Sequence, residues 1–109
     1  MNSTGNPFVD LAESTFAFYD RFDATPQVES ASRNLLEEVN EFIEAAREGN
    51  NRTHIAEEAA DVIVTTLGLC QASRIGIDEL IKQIYAVIDK NNAKTHETHV
   101  YVDGKIRRK

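Results

Sequence analysis

The chain has 109 residues, the size of one domain, which leaves no room for a second domain of ordinary length. Its 18 acidic residues outnumber its 12 lysines and arginines, and the resulting net charge of −6 repels phosphate backbones, which argues against a nucleic-acid partner. With 41% apolar and 28% charged residues, the composition is that of a folded globule and not of a disordered chain.

The sequence carries no sign of export or membrane insertion. Its one cysteine, Cys70, excludes an intramolecular disulfide and fits a reducing compartment. The longest apolar stretch, residues 62–70, is about half the length of a membrane span. The first residues lack the basic start and apolar run of a signal peptide. We therefore predict a cytoplasmic protein with no membrane partner.

The first half of the chain predicts two helices. Apolar residues recur at intervals of three and four from Pro7 onward, which is the pattern of an amphipathic helix opened by proline. Thr25 and Pro26 resemble the cap and first residue of a second helix. That helix should run to about Glu48, because Gly49 follows.

The second half predicts two further helices. Thr53 is placed to cap a third helix that reaches Arg74 or Ile75 and is ended by Gly76. Asp78 is placed to cap the fourth. The fold class is therefore all-α, a four-helix bundle.

The last residues, 94–109, differ from the helical part in charge and pattern. They hold five lysines and arginines against two acids, and Asp103-Gly104 between apolar residues suggests a small hairpin or an extended tail. We interpret His96 and His99 as solvated, with phosphate contact as the alternative. Residues 1–109 are predicted to form a single domain, with a helical core at about 8–93 and a basic tail at 94–109.

The third helix is apolar on every side, since Val62, Ile63 and Val64 are consecutive. Such a helix must be central, and four short helices can hardly surround it. We expect a second copy to complete the bundle, as a homodimer or homotetramer, and Gly68 to permit close approach of a partner helix. A buried strand at residues 62–69 is the alternative, because Val, Ile and Thr favour sheets.

Four carboxylates have a spacing that predicts convergence. Glu38 and Glu41 share one helix face, as do Glu58 and Asp61, because residues three apart lie about 60° apart around a helix. The pairs Glu38–Asp61 and Glu41–Glu58 are both centred on position 49.5, within the predicted turn, so their members stand level in an antiparallel hairpin. Oxygen ligands in this number suit Mg²⁺, with Mn²⁺ as the alternative. The competing interpretation is two solvated acidic faces.

The same residues resemble a known family. Glu37-Glu38-x-x-Glu41 followed by Glu58-x-x-Asp61 is similar to the signature of the MazG-type all-α nucleoside triphosphate pyrophosphohydrolases. That superfamily also includes dimeric dUTPases, dCTP pyrophosphatases and phosphoribosyl-ATP pyrophosphohydrolases. The Asp103-Gly104 tail resembles that of short phage and mobile-element members.

The resemblance implies a role for each matching residue. Glu38, Glu41, Glu58 and Asp61 would hold Mg²⁺ and, with Glu37, form the catalytic set. Glu37 would orient or deprotonate the attacking water. Asn91 and Lys94 would contact the triphosphate, with Asn92 aligning equally well in some members.

The implied function is Mg²⁺-dependent hydrolysis of nucleoside or deoxynucleoside triphosphates to the monophosphate and pyrophosphate, as nucleotide-pool house-cleaning. Two alternatives stay open. One is phosphoribosyl-ATP pyrophosphohydrolase activity, which uses the same carboxylate chemistry. The other is a non-catalytic, dimeric helical module whose acidic face binds a basic partner or a structural cation.

Overall fold

A computed structural model describes residues 3–109, which form four helices followed by a two-stranded hairpin. The helices are α1 (Pro7–Arg21), α2 (Val28–Glu48), α3 (Arg52–Ala72) and α4 (Ile77–Asn92), and the strands are β1 (His99–Val102) and β2 (Lys105–Arg108). The all-α prediction is confirmed. The strand alternative for residues 62–69 is wrong, since all of them lie within α3.

The first compact unit extends to Ile77 and contains the first three helices. α3 packs against both α2 and α1, so it is the central helix of this unit, as its apolar surface predicts. Leu67 is only 2% exposed, and Gly68 beside it is also buried. A Cβ on Gly68 would lie 2.8 Å from the hydroxyl of Tyr19. The close approach that Gly68 permits is therefore made by α1 of the same chain.

Several helix ends differ from the predictions by one to three residues. α2 begins at Val28, because Thr25 and Pro26 precede the extended cap residue Gln27. α3 is capped by Asn51, whose side chain accepts a hydrogen bond from the His54 N–H at 3.0 Å, so the predicted cap Thr53 lies inside the helix.

The end of α3 and the start of α4 also differ from the predictions. α3 stops at Ala72, two residues before the predicted end, because Arg74 adopts a positive φ of 61°. α4 begins at Ile77, so the predicted cap Asp78 belongs to its first turn, where a carboxylate interacts favourably with the helix dipole. The end of α2 is as predicted, with Gly49 in the left-handed conformation.

The second unit, Asp78–Lys109, contains the rest of α4 and the hairpin. The strands pair antiparallel, with Val102 opposite Lys105 and a two-residue turn between them. Asp103 and Gly104 have φ values of 49° and 77°, the left-handed pair that such a turn needs. The hairpin predicted from Asp103-Gly104 is confirmed. The single domain stays a prediction. Within residues 3–109, no helix combines the length and the apolar character needed to cross a membrane.

Candidate metal centre

The α2–α3 hairpin brings carboxylates of the two helices together. Only three residues, 49–51, connect the helices, so they pack as an antiparallel pair. Glu38 of α2 and both Glu58 and Asp61 of α3 each offer one oxygen, and these oxygens all lie within 4.8 Å of one another. Three of the four carboxylates predicted to converge therefore lie together in the structure. We refer to these three residues as the carboxylate cluster.

Two oxygens of the carboxylate cluster are buried without a hydrogen-bond partner among the described residues: Oε2 of Glu38 and Oε2 of Glu58. The Glu58 side chain as a whole is only 13% exposed. A buried anionic oxygen is costly unless a donor or a cation compensates it. The donor set is all oxygen and fits a hard divalent cation such as Mg²⁺ or Mn²⁺ better than Zn²⁺.

The pKa of Glu38 also reflects the closeness of the neighbouring carboxylates. Burial raises the pKa of its carboxyl, and repulsion from Glu41 and Asp61 raises it further. The proximity of the Glu41 carboxyl and the charge of Glu58 act in the same direction. All four predicted ligands therefore lie close enough to interact. A cation would reverse this effect by favouring the ionised carboxylates.

Glu41 and Glu37 lie on α2 outside the carboxylate cluster. Glu41 is exposed and does not join the three converging oxygens, although it affects the pKa of Glu38. Glu37, predicted to orient water, is also exposed. The roles predicted for both residues stay predictions.

Asn91 and Lys94, the predicted triphosphate contacts, belong to the second unit. Their side chains are joined, since Lys94 Nζ donates a hydrogen bond of 3.0 Å to Asn91 Oδ1. The structure thus pairs the two residues with each other, and their contact with substrate stays a prediction.

His54 is a neighbour of the carboxylate cluster that the sequence analysis missed. Its Nε2 lies 3.7 Å from Glu58 Oε1, so a protonated His54 would form an ion pair there. The spacing of His54 and Glu58 could have indicated this contact, because residues four apart on a helix face each other.

Comparison with known proteins supports the resemblance. The family model described as phosphoribosyl-ATP pyrophosphohydrolase matches residues 17–90, a range that includes Glu37 and all four predicted ligands. No curated protein and no solved structure matches the chain. The match covers more than half of the sequence and agrees with the four helices. The chain therefore belongs to the phosphoribosyl-ATP pyrophosphohydrolase family, within the MazG-like superfamily of all-α pyrophosphohydrolases.

Proposed function

We propose that the protein hydrolyses nucleoside or deoxynucleoside triphosphates to the monophosphate and pyrophosphate, with Mg²⁺ held by Glu38, Glu41, Glu58 and Asp61. Mn²⁺ is the alternative ion. The observation that carries the proposal is the pair of buried, unpartnered oxygens on Glu38 and Glu58 beside Asp61. Without a cation, these groups repel one another and would repel a triphosphate.

Each residue has a distinct role in this proposal. The bound ion would polarise the phosphoryl oxygens and lower the pKa of water. The carboxylate cluster and Glu41 would hold that ion, and Glu37 would accept a proton from the attacking water. Lys94 neutralises charge on the departing pyrophosphate, and Asn91 holds Lys94 through their hydrogen bond.

The test is an assay for released pyrophosphate, with a panel of ribo- and deoxynucleoside triphosphates, in Mg²⁺ and in EDTA. We expect Mg²⁺-dependent release that falls about a hundredfold or more in Glu38→Gln and Asp61→Asn. Glu44→Gln is the matched control, because Glu44 is an exposed acid of α2 outside the carboxylate cluster. Activity that survives Glu38→Gln would eliminate the proposed site. A complete lack of pyrophosphate would favour the non-catalytic interaction module.

A second candidate substrate is phosphoribosyl-ATP, which is favoured by the family match over residues 17–90. Its hydrolysis breaks the same phosphoric anhydride bond and needs the same cation. Including phosphoribosyl-ATP in the panel distinguishes the candidates, because the true substrate should give the highest kcat/KM.

We also propose that the protein works as a homodimer or homotetramer in cytoplasmic nucleotide-pool house-cleaning, as a short member of the superfamily related to phage and mobile-element forms. Exposed apolar side chains on the first unit support the oligomer. Leu36 is 61% exposed and Ile63 is 42% exposed, and both lie in the middle of helices.

A further inference from the structure

The two carboxylate oxygens of Glu58 have different neighbours. Oε1 lies 3.7 Å from Nε2 of His54, which is one turn earlier on α3. Oε2 is buried and has no hydrogen-bond partner among the described residues. The Glu58 side chain as a whole has little contact with water, whereas His54 is 48% exposed. One oxygen of Glu58 therefore faces an imidazole, and the other is left for a cation.

The contact between His54 and Glu58 is specific. Within residues 3–109, it is the only place where a basic side chain lies within 4.0 Å of an acidic one. The other lysines, arginines and histidines of this range thus lie farther than that from any carboxylate. The chain is rich in both kinds of charge, so this one contact at the edge of the carboxylate cluster is selective.

His54 can hold Oε1 of Glu58 in place. Nε2 of an imidazole is a hydrogen-bond donor in one neutral tautomer and in the protonated ring, so the attraction does not depend on a full charge. Donors of this kind orient carboxylates that bind metals. The backbone N–H of His54 serves a different purpose, because it donates to the capping side chain of Asn51. Replacing the imidazole therefore leaves the helix cap intact.

The orientation of Glu58 decides how many oxygens it offers to a cation. A carboxylate with one oxygen engaged by a donor offers the other oxygen alone, whereas a free carboxylate can offer both. Mg²⁺ requires nearly octahedral coordination and keeps several waters. Ca²⁺ is larger, accepts six to eight oxygens and readily binds both oxygens of one carboxylate. A Glu58 that offers one oxygen therefore suits Mg²⁺ better than Ca²⁺.

We propose that His54 is a positioning residue that sets the cation selectivity of the metal centre. It engages Oε1 of Glu58, leaves Oε2 for the ion and so favours Mg²⁺ over Ca²⁺. This proposal rests on the proposed function, because it requires a cation at the carboxylate cluster. The resemblance assigns no role to His54, although the residue lies within the matched range of 17–90.

The test measures cation binding to the full chain without any substrate. Mn²⁺ is the probe, because the electron paramagnetic resonance signal of the free ion falls when it binds. Bound Mn²⁺ is then displaced with Mg²⁺ and, in a separate titration, with Ca²⁺. The ratio of the two dissociation constants is the measure of selectivity. A general loss of structure would weaken both ions and leave this ratio unchanged.

We expect His54→Ala to weaken Mg²⁺ binding about tenfold or more. Ca²⁺ binding should stay the same or tighten, since both oxygens of Glu58 become available. The selectivity for Mg²⁺ over Ca²⁺ should therefore fall about tenfold or more. His54→Gln keeps an N–H donor at the same position and should retain most of the wild-type selectivity.

Arg52→Ala is the matched control, because Arg52 is an exposed cation in the same first turn of α3. Its loss should change the two affinities by the same factor. An unchanged circular dichroism spectrum establishes that each variant is folded.

A wild-type ratio in His54→Ala would overturn the proposal, as would a His54→Gln variant that behaves like His54→Ala. In both cases the wild type still binds Mn²⁺, so the proposed function survives. A wild type that binds no Mn²⁺ would overturn the proposed metal centre together with the role of His54. The two failures are therefore distinguishable.

Discussion

Ionisation of Glu38 has opposite effects on folding stability and on metal binding. The charged carboxylate destabilises the fold but is the form that binds a cation. The pKa of the Glu38 carboxyl is higher in the folded protein than in the unfolded chain. The folded state therefore loses stability as the pH rises from the ordinary pKa of glutamate through the raised one. Glu38→Gln removes the charge and keeps the shape. In EDTA at neutral pH, we therefore expect Glu38→Gln to melt a few degrees above the wild type in a thermal unfolding experiment.

Two further measurements test whether the charge of Glu38 causes this difference in melting temperature: its dependence on pH and its response to Mg²⁺. The advantage of Glu38→Gln should vanish as the pH falls below 4.5, the ordinary value for glutamate, because the wild-type carboxyl is then protonated in both states. Adding Mg²⁺ at neutral pH should stabilise the wild type and not the variant. Glu44→Gln should show neither effect. If Glu38→Gln melts below the wild type in EDTA, repulsion within the carboxylate cluster is not its dominant property.

The start of α3 depends on which of two nearby polar residues caps it. Asn51 makes the capping hydrogen bond to the His54 N–H, whereas Thr53 lies in the first turn. We expect Asn51→Ala to lower the free energy of unfolding by about 1 kcal/mol, measured by urea denaturation. Thr53→Ala should change it by only a few tenths of a kcal/mol. Equal losses in the two variants would contradict the observed cap.

The packing of α1 on α3 depends on the absence of a side chain at Gly68. A Cβ there would lie 2.8 Å from the Tyr19 hydroxyl but 3.6 Å from the nearest ring carbons. Gly68→Ala should therefore destabilise the wild type. In a Tyr19→Phe background the same change should stabilise by up to about 1 kcal/mol, because alanine is the better helix former and the close contact is gone.

A double-mutant cycle, measured by urea denaturation, isolates this contact from the general effect of each substitution. The sign of the Gly68→Ala effect should differ between the two backgrounds. If it is the same in both, Tyr19 does not set the spacing between α1 and α3.

The sequence is informative about those parts of the structure that depend on local pattern. Apolar periodicity predicted all four helices, and Asp103-Gly104 predicted the hairpin, because each signal lies within one element. The level register of Glu38 and Asp61 was predictable for a related reason, since a three-residue connection leaves two packed helices little freedom.

The predictions that failed depend on contacts between elements. Thr53 and Asn51 are both good capping residues, and the turn after α2 decides which one is used. The approach of Tyr19 to Gly68 joins residues 49 positions apart, which no local pattern encodes.

The exposed apolar surface of the first unit leads to a prediction about assembly. Leu36 and Ile43 lie seven residues apart and therefore share one face of α2, and Ile63 of α3 is also exposed. Burial of such side chains in a homo-oligomer would remove them from water. We expect sedimentation velocity to give two or four times the chain mass of 12.2 kDa.

Introducing a charge at this surface should dissociate the assembly, because a lysine would then be buried without a partner. Leu36→Lys and Ile63→Lys should each sediment as 12.2 kDa monomers at concentrations where the wild type is associated. Phe22→Lys is the control, since Phe22 is a 67% exposed apolar residue that directly follows α1. A wild type that remains monomeric at every concentration would contradict the oligomer, and the exposed face of α2 would then need a different explanation.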